Sequence, residues 1–394
     1  MRHWKRGVII TCVRGVSFVR EPVRVLHVVS KMSVGGIQAV IMDYYRNINR
    51  KNVQFDFVVQ TKRRCEFDRE IQAMGGILHR TSSLKTDKVK FCRELTGILR
   101  KEQKYRIIHA HQGFSNIIPL LVAKRANVKV RISHSHNSYR RKPAAIRAQM
   151  LFFQKIIGLF ATDCFACSVS AGKWMYGNGF FKSRKSRILR NAVDADKFRF
   201  EPSTRSRIRN KLGIKGKYVL VHVGMFRPEK NHEYLLEIFS EIRKRRRDCL
   251  LMLIGDGANR GLIETLAGNG NLGDDVLFLG MKRNVHEYLM ASDCFILPSE
   301  SEGLPLSLIE AQASGLPCFV SEEAVARESD VTGLVHYLSI NAEPAAWVDM
   351  INGCRCAVPE SREEGCRQVV ECGYDIKAEA RALESFYISS SSRG

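Results

Sequence analysis

The sequence predicts two α/β domains, each a doubly wound parallel sheet of the Rossmann type. Three observations predict them. Short β-branched or apolar runs alternate with amphipathic runs, as in successive βαβ units. Several of the runs open into glycine-bearing loops, such as Ser30–Gly36, Gly224–Asn231 and Gly255–Gly257. At 394 residues the chain is long enough for two proper cores. The expected division is an extension over 1–22, a first domain over 23–190, a second over 191–372, and a closing helix with a serine-rich tail over 373–394. In this kind of fold such a helix commonly returns to the first domain.

Val23–Val29 is β-branched and reads as the first buried strand, feeding the loop that holds Gly35-Gly36 and then the amphipathic run Ile37–Asn47. A glycine pair there lets backbone approach a ligand, although the loop lacks GxGxxG. Phe55–Val59 is expected as a strand, Phe67–Met74 as a helix, and Lys88–Lys104 as a helix with Phe91, Leu95 and Ile98 on one face and a basic flank. Strands are expected at Arg106–Ala110 and Val128–Ser133. Each leads into histidines: His109 and His111 at the first, His134 and His136 at the second. Side chains at the carboxyl ends of consecutive strands converge on the crevice of a doubly wound sheet. Tyr139–Asp163 opens with Arg140-Arg141-Lys142 and is apolar on more than one face, as a helix buried in the domain, or one that dips into a membrane interface, would be. Cys164–Ser170 and Ser186–Leu189 complete the first series.

The second series runs through strands at Tyr218–Val223, Leu250–Ile254, Val276–Leu279, Cys294–Leu297, Phe319–Ser321 and Gly333–Val335. Helices are expected at Glu233–Arg246, Leu262–Ala267, Val285–Met290 and Ala378–Tyr387. The most informative stretch is Ser292–Val320. Its strand ends at Pro298, a polar loop follows, Pro305 stands at the first helical turn, and Gly315 and Pro317 close a short helix. Such a unit presents backbone N–H groups to an anion. Glu302 in the loop and Glu310 just inside the helix cannot hold phosphate, but they can accept hydrogen bonds from hydroxyls. Phosphate donors beside hydroxyl acceptors describe a sugar-nucleotide site.

Charge is unevenly divided. Residues 1–190 carry 38 Lys+Arg against 10 Asp+Glu, and the remainder 25 against 30, so the first domain is the one expected to meet an anionic partner. No nucleic-acid-binding module accompanies that charge, which favours an anionic membrane surface over nucleic acid. No run of about 20 residues is apolar enough to span a bilayer. In the N-terminus, MRHWKRGVIITCVRG, the apolar run ends early at Arg14 without a convincing cleavage site, so no secretory signal is expected. Twelve cysteines lack a repeated spacing, and Cys164/Cys167 lies in an apolar run without a second pair. Core thiols in a reducing compartment are expected.

From about Val23 to Tyr387 the sequence resembles the retaining glycosyltransferases of family GT4, which have the two-domain GT-B fold. The resemblance rests on the Glu-x7-Glu spacing inside SEGLPLSLIEAQASGLP, on VLHVVSKMSVGGIQ, ISHSHNS and GMFRPEKNHEYLLEIF, and on the Asn191-Ala-Val-Asp194 crossing. It implies two domains facing across a cleft. It implies Lys230, six residues after Gly224, as the cation on the donor diphosphate, and the N–H groups of Ser307 and Leu308 as its cap beside Gly303. Glu310 would take the ribose hydroxyls and Glu302 the transferred sugar. Gly35 and Gly36 would face the cleft, and His134 would be a cleft histidine assisting the chemistry. Where the family usually has arginine after the loop glycine, this chain has Met225, with Arg227 the nearest arginine. The resemblance further implies retention of configuration, no metal or other cofactor, a UDP-sugar donor and a lipid-linked saccharide acceptor. The expected location is the cytoplasmic face of the plasma membrane. A UDP-sugar epimerase of the same fold and a non-catalytic nucleotide-sugar-binding protein are the alternatives.

Overall fold

The computed structural model describes residues 21–102, 104–136, 144–354 and 359–393. Residues 1–20 of the expected extension, Arg140-Arg141-Lys142 and Cys356 lie outside the described residues. The first half comprises β1 (Val23–Val29), α1 (Gly36–Asn47), β2 (Val53–Val59), α2 (Asp68–Ala73), β3 (Leu78–Arg80), α3 (Lys88–Glu102), β4 (Ile107–Ala110), α4 (Ile117–Arg125), β5 (Val130–Ser135), α5 (Ala144–Phe160), β6 (Asp163–Ala166), α6 (Val169–Tyr176) and β7 (Ser186–Ile188). The second comprises α7 (Ala195–Phe198), α8 (Pro202–Leu212), β8 (Tyr218–Val223), α9 (His232–Arg245), β9 (Cys249–Ile254), α10 (Arg260–Asn269), β10 (Val276–Gly280), α11 (Val285–Ala291), β11 (Cys294–Leu297), α12 (Leu306–Ala313), β12 (Cys318–Ser321), β13 (Val335–Leu338), α13 (Pro344–Gly353), α14 (Pro359–Glu371) and α15 (Ile376–Ser391).

These build two parallel sheets, ordered β3-β2-β1-β4-β5-β6-β7 and β10-β9-β8-β11-β12-β13. In each, the winding reverses between the first strand of its series and a later one, β1/β4 and β8/β11. That is where a doubly wound sheet opens a crevice. Along β1 and β4 side chains alternate between faces. Val25, Val29 and Ile107 pack under α1 and α15, while Leu26, Val28 and Ile108 pack with Phe91, Leu95 and Leu120 of the opposite layer.

Several expected boundaries move, each for a local reason. β6 stops at Ala166 because Ser168 caps α6, its Oγ accepting from the Ala171 N–H at 3.1 Å. β5 continues through His134 and Ser135, both buried. β13 starts after Gly333, which turns the chain at φ +72°, rather than at it. The serine run expected as a tail is the last turn of α15, with Ser389 and Ser391 hydroxyls donating back to the Phe386 and Ile388 carbonyls and Ser390 buried. α4, α8, α13 and α14 had no counterpart in the reading of the sequence.

Two features fix α12, the helix of the Glu-x7-Glu stretch. The chain crosses between the sheets twice, and the crossings lie side by side: the Val193 N–H donates to Tyr374 O and the Ile376 N–H to Val193 O, both at 2.9 Å. Asn191, buried at the crossing, donates from Nδ2 to Leu304 O at 2.8 Å, just before α12. At its other end α12 meets α14 backbone to backbone. A Cβ on Gly315 (φ +65°) would overlap the Arg362 backbone, and one on Gly365 would overlap the Gln312 carbonyl oxygen. The buried Arg362 guanidinium donates to the Ser314, Leu289, Met290 and Ser292 carbonyls, tying α12 to the end of α11.

This contact reverses an ordinary expectation. Alanine in place of a helix-interior glycine normally stabilises by about 1 kcal/mol. Gly365→Ala should instead destabilise by about 1–3 kcal/mol, as overpacking does, read as a lower urea midpoint. A midpoint at or above wild type would mean that α12 and α14 are not in backbone contact.

Candidate active site at the facing loops

The loop after β8 is built to hold a lysine. Pro228–Lys230 forms one 3₁₀ turn, and Asn231, at φ 52°, turns the chain into α9. The Lys230 stem lies across Gly224, where a Cβ would stand 3.4 Å from Lys230 Cδ and Cε and 2.9 Å from His222 Nε2. A side chain at 224 would therefore press on the buried His222 ring and sit against the lysine stem. The loop is joined to the one after β11 by two bonds. The Glu300 N–H donates to Glu229 O at 2.9 Å, and Lys230 Nζ reaches Glu302 Oε1 at 2.6 Å. Lys230 and Glu302, expected on different parts of a donor, thus pair with each other.

Pro305 stands one position earlier than expected, as the N-cap of α12, in extended conformation (φ −68°, ψ 115°) and without a side-chain cap. The Leu308 N–H already donates to Pro305 O at 3.1 Å. Of the two amides expected to cap a diphosphate, Leu308 is therefore engaged. Among the described residues the Leu306 and Ser307 amides have no backbone acceptor. Gly303, Leu306, Ser307 and Glu310 remain partly exposed, so the helix end is open on one side. Leu306 packs against the cores of both halves, which brings this end against the first domain.

Glu310 faces Asp43 of α1. Burial, and secondarily the charge of Asp43, push the Glu310 carboxyl up to about 8, with Lys197 opposing. Burial likewise pushes Asp43 up to about 6, although Arg46 lies 2.8 Å away. The charge of Asp43 in one half therefore acts on the Glu310 carboxyl of the other, both side chains remaining partly exposed. Asp43 and Lys197 were not singled out from the sequence. The signal for Asp43 was its place seven residues after Gly36, two helical turns along the same face.

The remaining expected residues divide. Gly35 is the N-cap of α1 in ordinary extended backbone, and a Cβ on Gly36 would meet nothing within 4 Å, so the helix start adjoins open space. Arg227 is exposed, with no side-chain partner among the described residues, and does not join Lys230. His134 lies inside β5, 1% exposed, with its ring against those of His136 (centroids 3.9 Å apart) and His109 (5.2 Å). Burial holds it well below the usual histidine range. It forms part of a buried histidine cluster, and neither of its ring nitrogens has a hydrogen-bond partner among the described residues. Cys164 and Cys167 are core thiols, pushed up to about 12 by burial.

Two doubly wound parallel sheets, with a lysine, an open helix end and carboxylates gathered at their switch points, define the GT-B class of glycosyltransferases. Comparison with known proteins agrees. The family described as Glycosyltransferase Family 4 matches residues 34–197, and that described as Glycosyl transferases group 1 matches residues 204–352. EpsF of Bacillus subtilis, named as a glycosyltransferase, is 33% identical over 92% of this chain and 96% of its own. The Escherichia coli UDP-Gal:alpha-D-GlcNAc-diphosphoundecaprenol alpha-1,3-galactosyltransferase is 29% identical over 76% of this chain and 79% of its own. Among solved structures, Anabaena Alr3699/HepE in complex with UDP superposes with a TM-score of 0.74 at 14% identity, covering 93% of this chain and all of that one. The chain belongs to the GT4 family of glycosyltransferases, and its fold is GT-B.

The raised Glu310 carboxyl gives a pH signature. Between the ordinary carboxyl value of 4.5 and about 8, the folded protein holds a proton that the unfolded chain has released, so this group's contribution to stability falls as pH rises. Glu310→Gln removes the titration. Its melting temperature relative to wild type should rise steadily from pH 5 to pH 8 and then level off. A difference that stays flat across that window would mean Glu310 is ionised in an ordinary environment.

Proposed function

We propose that this glycosyltransferase moves a sugar from a UDP-sugar to a lipid-linked saccharide in polysaccharide synthesis, with retention of configuration. The observation that carries the proposal is the Lys230–Glu302 pair beside the open end of α12. A lysine held in a carboxylate's grip is positioned but not exhausted. A diphosphate brings more negative charge than one carboxylate, so Lys230 turns to it, joined by the Leu306 and Ser307 amides. That releases Glu302 for the sugar hydroxyls, while Glu310 accepts the ribose hydroxyls. As the C1–oxygen bond to the diphosphate breaks, charge accumulates where Lys230 and the helix end already stand, with little reorganisation. The acceptor hydroxyl adds to C1 on the same face, and its proton passes to the departing phosphate oxygen. No step uses a metal or a further cofactor.

The choice of UDP and of a lipid-linked acceptor is supported by the name of the E. coli relative and by the UDP in the Anabaena structure. The capsular glycosyltransferase CapH of Staphylococcus aureus, 26% identical over 84% of this chain, supports a polysaccharide product. A peripheral position on the inner leaflet is supported by the outer surface of the first domain. α5 exposes Leu151, Phe152 and Leu159 by 61%, 61% and 66%, and α3 exposes Val89 by 71%. Next to them a pocket between α3 and α4 is lined by Arg93, Arg100 and Arg125 around Ile118 and Leu121. Apolar side chains rimmed by arginine suit an anionic interface. No helix among the described residues is long and apolar enough to cross a membrane.

The test is release of UDP from a panel of UDP-sugars, with and without a polyprenyl-diphosphate-linked saccharide. Acceptor-dependent release is expected, and Lys230→Ala should lower it by at least ~100-fold, the scale for removing one charge-stabilising group. A changed sugar without UDP release identifies an epimerase. Binding with neither outcome identifies a non-catalytic binder.

A further inference from the structure

The outer layer of the first domain carries a groove that sugar transfer does not use. It lies between α3 and α4 and encloses about 420 Å³, within the range of small-ligand sites. α3 contributes Arg93, Gly97 and Arg100, and α4 contributes Ile118, Leu121 and Arg125. Each set recurs at three- or four-residue intervals, so each wall is a single face of its helix. The two aliphatic side chains are half-buried and the three arginines exposed.

Three observations point to an anion with an apolar tail. First, none of the three arginines has an ion-pair or hydrogen-bond partner among the described residues. Glu94, beside Arg93 in the chain, is taken up by Ser82, whose N–H it accepts at 2.6 Å. Second, the helix dipole accounts for Arg100 and Arg125, which stand in last turns, but not for Arg93 in the first half of α3. Third, Gly97 sits in the middle of α3, where glycine costs helix stability. A Cβ there would meet nothing within 4 Å, so no close approach of the protein requires it. What the missing side chain keeps open is the groove.

The groove is also set apart from the donor site. α3 and α4 each connect parallel strands and run against them, so Arg100 and Arg125 lie toward the amino ends of the strands. The crevice opens at the carboxyl ends. On the other side the rim continues onto α5, where Lys124 Nζ donates to the Leu159 carbonyl at 3.4 Å and Phe152 and Leu159 are exposed.

We propose that this groove holds one anionic phospholipid, its phosphate among Arg93, Arg100 and Arg125 and the start of an acyl chain along Ile118 and Leu121. A free phosphate would use the arginines and leave the aliphatic wall idle, whereas a lipid uses both. The proposal rests on the reading that the first domain lies on an anionic membrane, and it gives that contact a site for a single lipid.

The test uses the full chain and dihexanoylphosphatidylglycerol, kept below its micellar concentration and followed by calorimetry. One equivalent is expected, not displaced by inorganic phosphate. Arg100→Ala combined with Arg125→Ala should weaken it about 30-fold, the scale for two cations beside an anionic headgroup. Gly97→Leu keeps every arginine and favours the helix, and it should remove the equivalent. Folded wild type that binds no stoichiometric lipid overturns the proposal. So does Gly97→Leu or the double variant binding as wild type does, and so does inorganic phosphate competing on equal terms. Flotation on phosphatidylglycerol vesicles tests the membrane position separately. Wild type that takes the short-chain lipid without floating keeps the groove and loses the membrane, and wild type that floats without taking the lipid does the reverse.

Discussion

The contact between Lys230 and Glu302 organises the site, and it does so by being an incomplete solution for both partners. Side-chain exposures of 18% and 9% leave the pair largely desolvated. There the desolvation cost offsets much of the mutual attraction. Such a pair holds geometry better than it supplies stability. It keeps the two loops in register before any ligand arrives, and it leaves the ammonium available to a stronger anion. A lysine free in solvent would have to be ordered at the moment of binding, with the entropy that this costs.

The scaffold around that contact is rigid where the site needs it. The β8 and β11 loops spring from adjacent strands in parallel register, Cys294 opposite Leu220. Their spacing is therefore set by the ladder rather than by side-chain packing. α12 is fixed at its far end by close backbone approach to α14 and by the Arg362 guanidinium, and at its near end by Asn191. Only the side facing the first domain is left open. The Leu306 and Ser307 amides at that end have no backbone acceptor among the described residues, and a helix N-terminus in that state favours an anion. The second crossing, through Asp375, brings α15 back under β1, so both halves share the segment that would otherwise be a free terminus.

Much of this was legible in the sequence because parallel strands buried on both faces are near-continuous apolar runs. Val23–Val29 and Tyr218–Val223 have the bounds that the residues predict. The Glu-x7-Glu stretch was legible for another reason: proline, glycine and acid at fixed spacing specify strand, loop and helix together. What failed were features decided by partners distant in the chain. β5 runs on through His134 because the histidines of β1 and β4 stack beside it, and no local pattern distinguishes that from a histidine in a crevice. The serine run reads as a polar tail until its hydroxyls are seen bonding to carbonyls one turn back. Asp43 is an ordinary acid on an amphipathic helix, and only the fold sets it opposite Glu310.

That opposition bears on how the halves come together. Ionising Glu310 is disfavoured by burial and by the charge of Asp43, and ionising Asp43 by burial and by the charge of Asp194. A proton held on Glu310 relieves the repulsion while the space contains no ligand. Ribose hydroxyls relieve it differently, by donating hydrogen bonds to both oxygens of an ionised carboxylate, which favours the charged form. The same pair of groups thus resists the approach of α12 to α1 when both are charged and bare, and tolerates it when hydroxyls intervene. Lys197, which acts on both carboxyls, supplies a fixed positive charge that narrows the difference. Under the proposed donor binding, closure over a nucleoside and closure over water alone would not be energetically equivalent, and the asymmetry would come from Asp43, a residue of the half opposite Glu310.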